Sequence, residues 1–331
     1  MKKILILGGA GFIGLNIAKF LLNGRDYDVH IVDNLFRGKL DLDLQDFIKN
    51  SRVKFLNLDL TQFESFNLLN DKYDYVYLLA SMVGVEYVEK MPHEIIRVNT
   101  QIILNTAEWL RSGSVDKILF TSTSECYAGA IDQFNYIVPT PEDVPLVVSD
   151  IAHPRFTYAV TKMLGESTFL NYSKALGFKA TIVRYHNVYG PRMGFKHVIP
   201  QLVYRMVNGE NPLKVFGAHQ TRSFNFIDDA VRGTVAAMEL PAADQQIFHI
   251  GDSRFEITIM ELANYIGEVI GYKGRYEAGE IHSGSVNRRC PDTSKAQRIL
   301  DYNPKVNWKD GVKEAVLWYR DFYSSSAEKF E

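Results

Sequence analysis

Short apolar runs alternate with longer amphipathic stretches through the first 130 residues of the chain. The stretches Phe12–Asn23 and Ile95–Arg111 have helical periodicity and separate shorter apolar runs. The runs that we predict to be buried strands are Ile4–Leu7, Val29–Val32, Val53–Leu56, Tyr75–Leu79 and Ile118–Thr121, with later ones at Lys179–Arg184 and Ile247–Ile250. Strand–helix alternation with nearly all-apolar strands is typical of a covered parallel sheet. We therefore predict an α/β fold with a doubly wound parallel sheet.

The composition is that of a globular chain without a strong electric field. Lys and Arg total 37 while Asp and Glu total 39, which gives a net charge of −2 over 331 residues. No Lys/Arg-rich tract is present, and this argues against nucleic acid as a partner. Two cysteines, Cys126 and Cys290, are too few for a zinc site or a disulfide framework. With no run of 18 apolar residues and no signal-peptide pattern, we expect a soluble cytoplasmic protein that has no membrane partner.

Residues 8 to 14 read Gly-Gly-Ala-Gly-Phe-Ile-Gly, between the first predicted strand and the first predicted helix. In a dinucleotide-binding turn, one glycine permits the tight turn and a second admits the pyrophosphate. A third lets the helix pack on the strand. Gly8, Gly11 and Gly14 have the spacing for these roles. Tight turns alone also explain glycines, but the position between strand and helix predicts a Rossmann-type dinucleotide site.

Asp33 ends the second predicted strand, 19 residues after Gly14. A carboxylate at this place accepts hydrogen bonds from the adenosine ribose and repels a 2′-phosphate, so it favours NAD over NADP. The plain alternative for Asp33 is a cap at the end of the strand. Arg37 leaves the choice of cofactor open, because an arginine just beyond the acid can pair with a 2′-phosphate.

Tyr158 and Lys162 lie four residues apart within Phe156–Ser173, a segment with a helical pattern. That spacing puts both side chains on one face of the helix. A lysine ammonium beside a phenol lowers the phenol pKa from its usual value of about 10. We therefore predict that Tyr158 is a general base at neutral pH. Taken alone, the pair is equally well explained as an ordinary helix surface.

A polar run from Thr121 to Tyr127 begins where the fifth predicted strand ends. Open α/β sheets bind their ligands at the carboxyl ends of their strands. A Thr or Ser hydroxyl in this run is therefore placed to bond a hydroxyl or keto oxygen of a substrate. Capping of the turn is the alternative explanation for these side chains.

Together these motifs resemble those of the extended short-chain dehydrogenase/reductases that modify nucleotide sugars. The resemblance extends over roughly residues 3 to 320. The motifs that carry it are Gly8–Gly14, Asp33-Asn34, Asp59-Leu60, Leu78-Leu79-Ala80, Asn99, Ser122–Tyr127, Tyr158-x-x-x-Lys162, Arg184–Arg192 and Arg288-Arg289-Cys290-Pro291-Asp292.

The resemblance implies roles for individual residues. Tyr158 would be the catalytic base, and Thr123 the hydroxyl that assists it. The residues that would bind NAD are Gly8, Gly11, Phe12, Ile13, Asp33, Asn34, Arg37, Asp59, Leu60, Leu79, Ala80, Ser81, Asn99, Tyr158 and Lys162. The nucleotide sugar would contact Asn187, Arg192, Arg222 and Arg289 through its diphosphate or sugar, and Val215 and Phe216 near its base. The charges agree with this placement, because an arginine fork suits phosphate oxygens.

A two-part organisation also follows from the resemblance. Residues 1–185, with part of 218–252, would form the NAD-binding domain. Residues 186–217 and 253–325 would bind the nucleotide sugar, and 326–331 would be a tail. The resemblance further implies a homodimer in which helices that include Tyr158–Tyr172 pair.

Members of this family share a first step and then diverge. Loss of a hydroxyl proton and of a hydride makes a 4-keto sugar, and NADH later returns the hydride. Plain 4-epimerases usually have small or apolar residues at the positions of Ser124 and Glu125, whereas glucose-type 4,6-dehydratases have Asp-Glu. The arrangement Thr-Ser-Glu resembles both the uronate decarboxylases and the mannose-type 4,6-dehydratases. Glu125 therefore predicts chemistry at C5 without choosing between these two, and a capping carboxylate is its alternative.

Some positions depart from the decarboxylase pattern. An Asp-Glu-Gly run between the tyrosine and the lysine is replaced by Ala159-Val160-Thr161. Pro154-Arg155 matches the decarboxylases, but it also occurs in other branches. His186 stands where relatives usually have Phe; an imidazole can titrate near neutral pH, but we predict that it is packed in the interior.

From the sequence we predict an NAD-dependent nucleotide-sugar epimerase, dehydratase or decarboxylase that works through a transient 4-keto intermediate and recycles its NAD. A plain UDP-sugar 4-epimerase is the alternative, and a net NAD-linked oxidoreductase is a further one. A non-catalytic NAD-sensing regulator would be expected to lack Tyr158 and Lys162, and both are present.

Overall fold

The computed structural model describes residues 1–280 and 286–325, so the tail predicted at 326–331 lies outside the described residues. The strands are β1 (Lys2–Leu7), β2 (Tyr27–Asp33), β3 (Val53–Asn57), β4 (Tyr73–Leu78), β5 (Val115–Thr123), β6 (Lys179–Tyr185), β7 (Val188–Tyr189), β8 (Leu213–Phe216), β9 (Thr221–Ser223), β10 (Asn225–Phe226), β11 (Ile247–Ile250), β12 (Glu256–Thr258), β13 (Tyr276–Gly279) and β14 (Arg288–Arg289). The α-helices are α1 (Phe12–Leu22), α2 (Leu42–Phe47), α3 (Val85–Lys90), α4 (Pro92–Leu110), α5 (Ala128–Phe134), α6 (Thr157–Leu176), α7 (Val198–Val207), α8 (Ile227–Glu239), α9 (Ile259–Ile270), α10 (Ser294–Leu300) and α11 (Trp308–Ser325).

One parallel sheet of seven strands organises the chain, in the order β11-β6-β5-β4-β1-β2-β3. These are the seven strands that the apolar runs predict, and the predicted helices between them correspond to α1 and α4. The doubly wound α/β prediction is therefore confirmed. Chain order reverses between β1 and β4, and a parallel sheet binds its ligands at such a switch point, beyond the carboxyl ends of the strands.

The central strand shows why the predicted strands are almost wholly apolar. Ile4 and Ile6 of β1 belong to one apolar cluster, whereas Leu5 and Leu7 belong to another, and all four are fully buried. Successive side chains of a strand point to opposite faces, so both faces of β1 are covered. Helices α1 and α8 pack in the first cluster, and α4 and α6 in the second. Burial contributes about 1.5–3 kcal/mol for each such side chain.

The second half of the chain adds small sheets beside the carboxyl edge of the large one. Strands β12, β9 and β14 form one of them, and β13 pairs with β8 in another. In the parallel pair of β14 and β9, Arg289 is the register partner of Arg222. Two arginines that are distant in sequence are thereby brought side by side.

Across residues 1–280 and 286–325, no helix combines the length and the apolar character needed to cross a bilayer.

Candidate active site

The carboxyl ends of the central strands border a cleft of about 1600 Å³. Typical sites for one ligand measure about 300–1,000 Å³, so this cleft has room for a dinucleotide and a second ligand. The cofactor residues predicted from the sequence that line it are Gly8, Gly11, Phe12, Ile13, Asp33, Asn34, Arg37, Asp59, Leu60, Leu79, Ala80, Ser81, Tyr158 and Lys162. Other predicted site residues in the lining are Thr123, Asn187 and Arg192.

The glycine turn lies at the end of β1, and two of its glycines have no space for a side chain. A Cβ on Gly8 would lie 2.5 Å from the backbone nitrogen of Ala80, and Gly8 has a left-handed φ of 89°. A Cβ on Gly14 would lie 2.5 Å from the carbonyl oxygen of Gly8. Helix α1 begins directly after Gly11, and no side chain caps its first turn. Its first N–H groups therefore remain available for an anion such as a phosphate.

Asp33 lies beside this turn and is held by two backbone donors. Its Oδ2 accepts a hydrogen bond from the backbone N–H of Ala10 at 3.0 Å, and its Oδ1 accepts one from Leu35 at 2.8 Å. Burial raises the pKa of the carboxyl, although these hydrogen bonds and the charge of Arg192 act in the opposite direction. The remaining lone pairs of the carboxylate suit the hydroxyl groups of a ribose.

Arg37 reaches into the cleft toward the tyrosine predicted to be the base. Burial lowers the pKa of Arg37, and interactions with Tyr158 and Tyr87 partly oppose this shift. Its Nη2 also lies next to Gly194, 3.2 Å from the position that a Cβ there would take. Arg37 is therefore close enough to Tyr158 for the two groups to interact through their charges. The sequence showed only that Arg37 follows Asp33.

Asn99 of α4 is buried and hydrogen-bonded to the segment that follows β4. Its Oδ1 accepts a hydrogen bond from the backbone N–H of Met82 at 2.7 Å, and its Nδ2 donates to the carbonyl of Met82 at 3.1 Å and to Thr161. Asn99 does not line the cleft, and its role in cofactor binding stays a prediction. Its amide is occupied in fixing the segment after β4, so any effect on a cofactor is exerted through that backbone.

Tyr158 and Lys162 lie on α6, on the helical face predicted by their spacing. Lys162 Nζ donates a hydrogen bond to the carbonyl of Thr121 at 2.8 Å and lies 5.6 Å from the centroid of the Tyr158 ring. Burial lowers the pKa of Lys162 to about 8. Burial also raises the pKa of Tyr158, and the cation that partly offsets this is Arg37. Desolvation therefore raises the pKa of the phenol, whereas the spacing of four residues led us to expect that Lys162 would lower it.

The end of β5 presents the predicted hydroxyl groups. Thr123 Oγ1 accepts a hydrogen bond from the backbone N–H of Glu125 at 3.3 Å, and Thr123 lines the cleft. Ser124 is buried. Ser122 Oγ donates to Glu166 on α6 at 2.5 Å, so strand and catalytic helix are tied together directly behind the cleft.

Glu125 lies among three arginines. Arg289 Nη1 donates to its Oε1 at 2.7 Å, and Arg155 Nη2 lies 3.7 Å from the same oxygen. Burial alone would raise the pKa of Glu125, but the charges of Arg289, Arg155 and Arg222 outweigh it and lower the pKa below the usual value. Glu125 is therefore ionised at neutral pH, and the cluster as a whole keeps an excess of positive charge.

The predicted substrate residues fall into two places. Arg222 and Arg289 meet at Glu125, as described. Arg192 lies elsewhere, because its Nε donates to Asp41 at 2.7 Å and its Nη1 donates to the carbonyl of Ala10 at the glycine turn. Asp41 is a carboxylate partner of Arg192 that the sequence pattern does not indicate. Contact of Arg192 with the diphosphate or sugar stays a prediction.

Two further predicted substrate residues are held by packing or by the backbone. The side chain of Val215 is fully buried in the core, so it presents no side-chain surface to a base. The neighbouring Phe216 is exposed and lies beneath the guanidinium of Arg205. Asn187 has a left-handed φ of 39°, and its Nδ2 donates to the carbonyl of Ser223 at 2.9 Å.

Sequence patterns do not indicate a role for Arg155 or the pairing of Glu166 with Arg184. They also do not identify a partner for His186. Arg184 donates to both carboxylate oxygens of Glu166 at 2.8 and 2.7 Å in the interior. His186 is fully buried, as predicted, and its Nε2 is 3.0 Å from the hydroxyl of Tyr127. The signal for Arg155 in the sequence is its place three residues before Tyr158.

The fold and the cleft define a dinucleotide-binding α/β enzyme with a tyrosine–lysine pair. The family model described as the NAD dependent epimerase/dehydratase family matches residues 4–251, so the chain belongs to that family. The chain is 31% identical to the UDP-N-acetyl-alpha-D-glucosaminuronate decarboxylase of Bacillus cytotoxicus, over 97% of this chain and 98% of the relative. It is 30% identical to the UDP-glucuronate 4-epimerase of Thermodesulfobacterium geofontis, over 97% of each chain.

The chain is also similar in structure to members of this family. The chain is similar to the UDP-glucuronic acid 4-epimerase of Bacillus cereus, solved in complex with UDP-glucuronic acid and NAD. The TM-score is 0.86 at 28% identity, over 97% of this chain and 100% of the other. NAD is the cofactor of this enzyme family, and the residues of the cleft fit it. The glycine turn has no space for side chains, the first turn of α1 is uncapped, and Asp33 offers acceptors for a ribose.

Proposed function

We propose that this enzyme acts on a UDP-linked uronic acid and removes its C6 carboxyl group as carbon dioxide through a transient 4-keto sugar. The observation that carries the proposal is the position of Glu125 among Arg289, Arg155 and Arg222, close enough to Tyr158 for its charge to raise the pKa of the phenol. The arginines supply the positive charge that binding a sugar carboxylate needs. Glu125 supplies a second acidic group, in addition to Tyr158, that can act on C5.

Tyr158 begins the reaction by taking the proton of the 4-hydroxyl group. The chemistry that bound NAD supplies is reversible acceptance of a hydride at C4. Lys162 fixes the base by bonding the carbonyl of Thr121, and the charge of Arg37 favours the phenolate. In this proposal Thr123 donates a hydrogen bond to the oxygen at C4, and its position in the lining of the cleft supports that role.

Loss of carbon dioxide then breaks the bond between C5 and the carboxyl carbon. The electron pair of that bond moves toward C4, and the carbonyl oxygen there becomes an enolate that the hydroxyl of Tyr158 stabilises. Ionised Glu125 repels the carboxylate of the substrate, and this repulsion is relieved as neutral carbon dioxide forms, so it lowers the barrier. C5 takes a proton that originates from water, and return of the hydride to C4 completes the reaction.

A 4-epimerase acting on a UDP-uronic acid is the second candidate. The arginines are consistent with it as well, because a sugar that keeps its carboxylate also needs cations to bind that group. The similarity to two UDP-glucuronate 4-epimerases also supports it. In that reaction the six-carbon sugar would keep its carboxyl group and change configuration only at C4.

Carbon-13 NMR of the enzyme with NAD and UDP-glucuronate labelled at C6 separates the two candidates. The proposal predicts that the label appears as bicarbonate and is lost from the sugar. Label that stays in a six-carbon product would instead identify the 4-epimerase. UDP-N-acetylglucosaminuronate is tested in parallel, and UDP-glucose is the control without a carboxylate.

We also propose a homodimer that pairs α6, the helix that the resemblance implies, together with α4, which packs against α6. Support comes from exposed apolar side chains on these helices, namely Ile96, Leu104 and Leu164. Sedimentation of the wild-type protein and of a Leu104→Glu, Leu164→Glu double variant tests the proposal. A dimer that the double variant converts to a monomer supports it, and a wild-type monomer contradicts it.

A further inference from the structure

Arg155 is held in a defined place directly before the catalytic helix. It lies in the 3₁₀ turn Pro154–Phe156, and α6 begins at the next residue. The backbone N–H of Arg155 donates to His153 Nδ1 at 3.1 Å, which fixes the turn. Because Arg155 precedes Tyr158 by three residues, the two side chains leave neighbouring turns on the same side.

The guanidinium of Arg155 has N–H groups that can still donate hydrogen bonds to a ligand. Arg289 makes the short hydrogen bond to Glu125 at 2.7 Å, whereas Arg155 Nη2 remains at 3.7 Å from the same oxygen. Within residues 1–280 and 286–325, the buried Nε of Arg155 has no hydrogen-bond partner. Buried donors in native proteins are normally satisfied, so this atom points to a missing acceptor.

Arg222, another arginine of this cluster, is hydrogen-bonded to residues of its own strand and turn. Arg222 donates to the carbonyl of Thr221 at 2.8 Å and to Gln220 at 3.3 Å. The resemblance implies that Arg222 and Arg289 contact the diphosphate or the sugar. Arg289 makes the short bond to Glu125, and its own buried Nε and Nη2 also lack partners among the described residues. Arg155 is the arginine of the cluster that lies nearest in the chain to Tyr158, and its guanidinium makes no short hydrogen bond to Glu125.

The order of the carbon atoms in the sugar leads us to expect its carboxylate near Glu125 and Arg155. C4 has to lie at the hydroxyl of Tyr158, C5 follows one bond away, and the carboxyl carbon follows C5. Glu125 is the acid whose charge acts on Tyr158, and Arg155 borders Glu125 on the side of α6. We propose that Arg155 binds the C6 carboxylate of the uronic acid and thereby determines the preference for uronic acids over neutral hexoses. This inference rests on the proposed function.

Binding without turnover tests the inference. The NAD-loaded Tyr158→Phe protein is titrated calorimetrically with UDP-glucuronate and with UDP-glucose, which differ only at C6. Adding Arg155→Gln is expected to weaken UDP-glucuronate binding by about tenfold or more, because a charge-assisted hydrogen bond is lost. UDP-glucose binding should change by less than about twofold, and Arg155→Lys should restore part of the preference, since charge remains without the planar fork.

Arg320→Gln is the matched control, because it removes an exposed arginine that pairs with Asp321 on α11. Equal weakening of both ligands by Arg155→Gln, or none, would overturn the role of Arg155 and leave the proposed function standing. Retained NAD binding and circular dichroism exclude misfolding of the variant. If the wild-type enzyme turns over neither UDP-uronic acid, the proposed function fails, and this inference with it.

Discussion

Arg289 Nη1 donates a hydrogen bond to Glu125 Oε1 at 2.7 Å, although 164 positions separate the two residues in the chain. The bond joins the short strand β14 to the end of β5, where the hydroxyl groups of Thr123 and Ser124 lie. It also keeps Glu125 ionised, since the charge of Arg289 is the largest of the influences that lower its pKa. A fixed negative charge beside a cationic cluster is the feature on which the proposed C5 step depends.

Replacing Glu125 by Gln should stop the reaction after oxidation at C4. The repulsion that drives loss of the carboxyl group disappears, while Tyr158 and Lys162 are unchanged. We expect product formation to fall by roughly 100-fold or more, the range of a lost electrostatic contribution in an active site. Absorbance of NADH and trapping of a 4-keto uronic acid measure the effect. Glu108→Gln, an exposed change on α4, is the control, and an unaltered product rate in Glu125→Gln would remove Glu125 from the mechanism.

Tyr158→Phe should abolish turnover and leave NAD bound. The substitution removes only the hydroxyl that takes the proton, and the contacts of the glycine turn and Asp33 with the dinucleotide do not involve it. Turnover and the NAD content of the purified variant are measured together. Near-normal turnover would mean that another group is the base. Loss of both turnover and NAD would mean that the tyrosine acts mainly in binding.

Binding of NAD should weaken as the pH rises through about 8. Burial places the pKa of Lys162 at about 8, below its ordinary value, so the ammonium is present below that pH and lost above it. An ammonium in the cleft attracts the anionic dinucleotide, and a neutral amine does not. Titrations of cofactor-free protein across this pH range measure the effect. Lys162→Met should bind NAD weakly and without this pH dependence, and a pH dependence that persists in the variant would assign it to another group.

Glu166→Gln should strongly destabilise the fold. The carboxylate forms a buried pair with Arg184 and accepts a hydrogen bond from Ser122, so the change leaves the arginine charge uncompensated in the interior. A loss of about 3–5 kcal/mol in the free energy of unfolding is expected. Urea denaturation measures it. Glu108→Gln breaks only an exposed pair with Arg111 and should change the free energy by less than about 0.5 kcal/mol. Equal losses in the two variants would contradict the importance of the buried pair.

Local sequence patterns were sufficient to predict the sheet, the glycine turn and the helix face shared by Tyr158 and Lys162. Each of these depends on residues that are close in sequence, where strand and helix periods act directly. Long-range pairing was not accessible in this way. Nothing in the neighbourhood of Arg192 indicates that it meets Asp41, and nothing near Arg155 indicates that it meets Glu125.

The same limit applies to the contacts of Asn99 and Val215. Asn99 was placed with the cofactor by its motif, but only the packing of α4 against the segment after β4 brings its amide to Met82. Val215 was placed near the base, whereas the pairing of β8 with β13 turns its side chain into the core. Burial likewise decides the pKa of Tyr158, and a spacing of four residues cannot report how much water surrounds a phenol.

Proton NMR of the enzyme with NAD and UDP-glucuronate in deuterium oxide tests the central claim most directly. Loss of the carboxyl group leaves C5 to take its proton from solvent, so the account predicts a UDP-pentose with deuterium at C5. A six-carbon product that differs only at C4 and has no deuterium at C5 would contradict it. Glu125 would then have no part in bond breaking at C5.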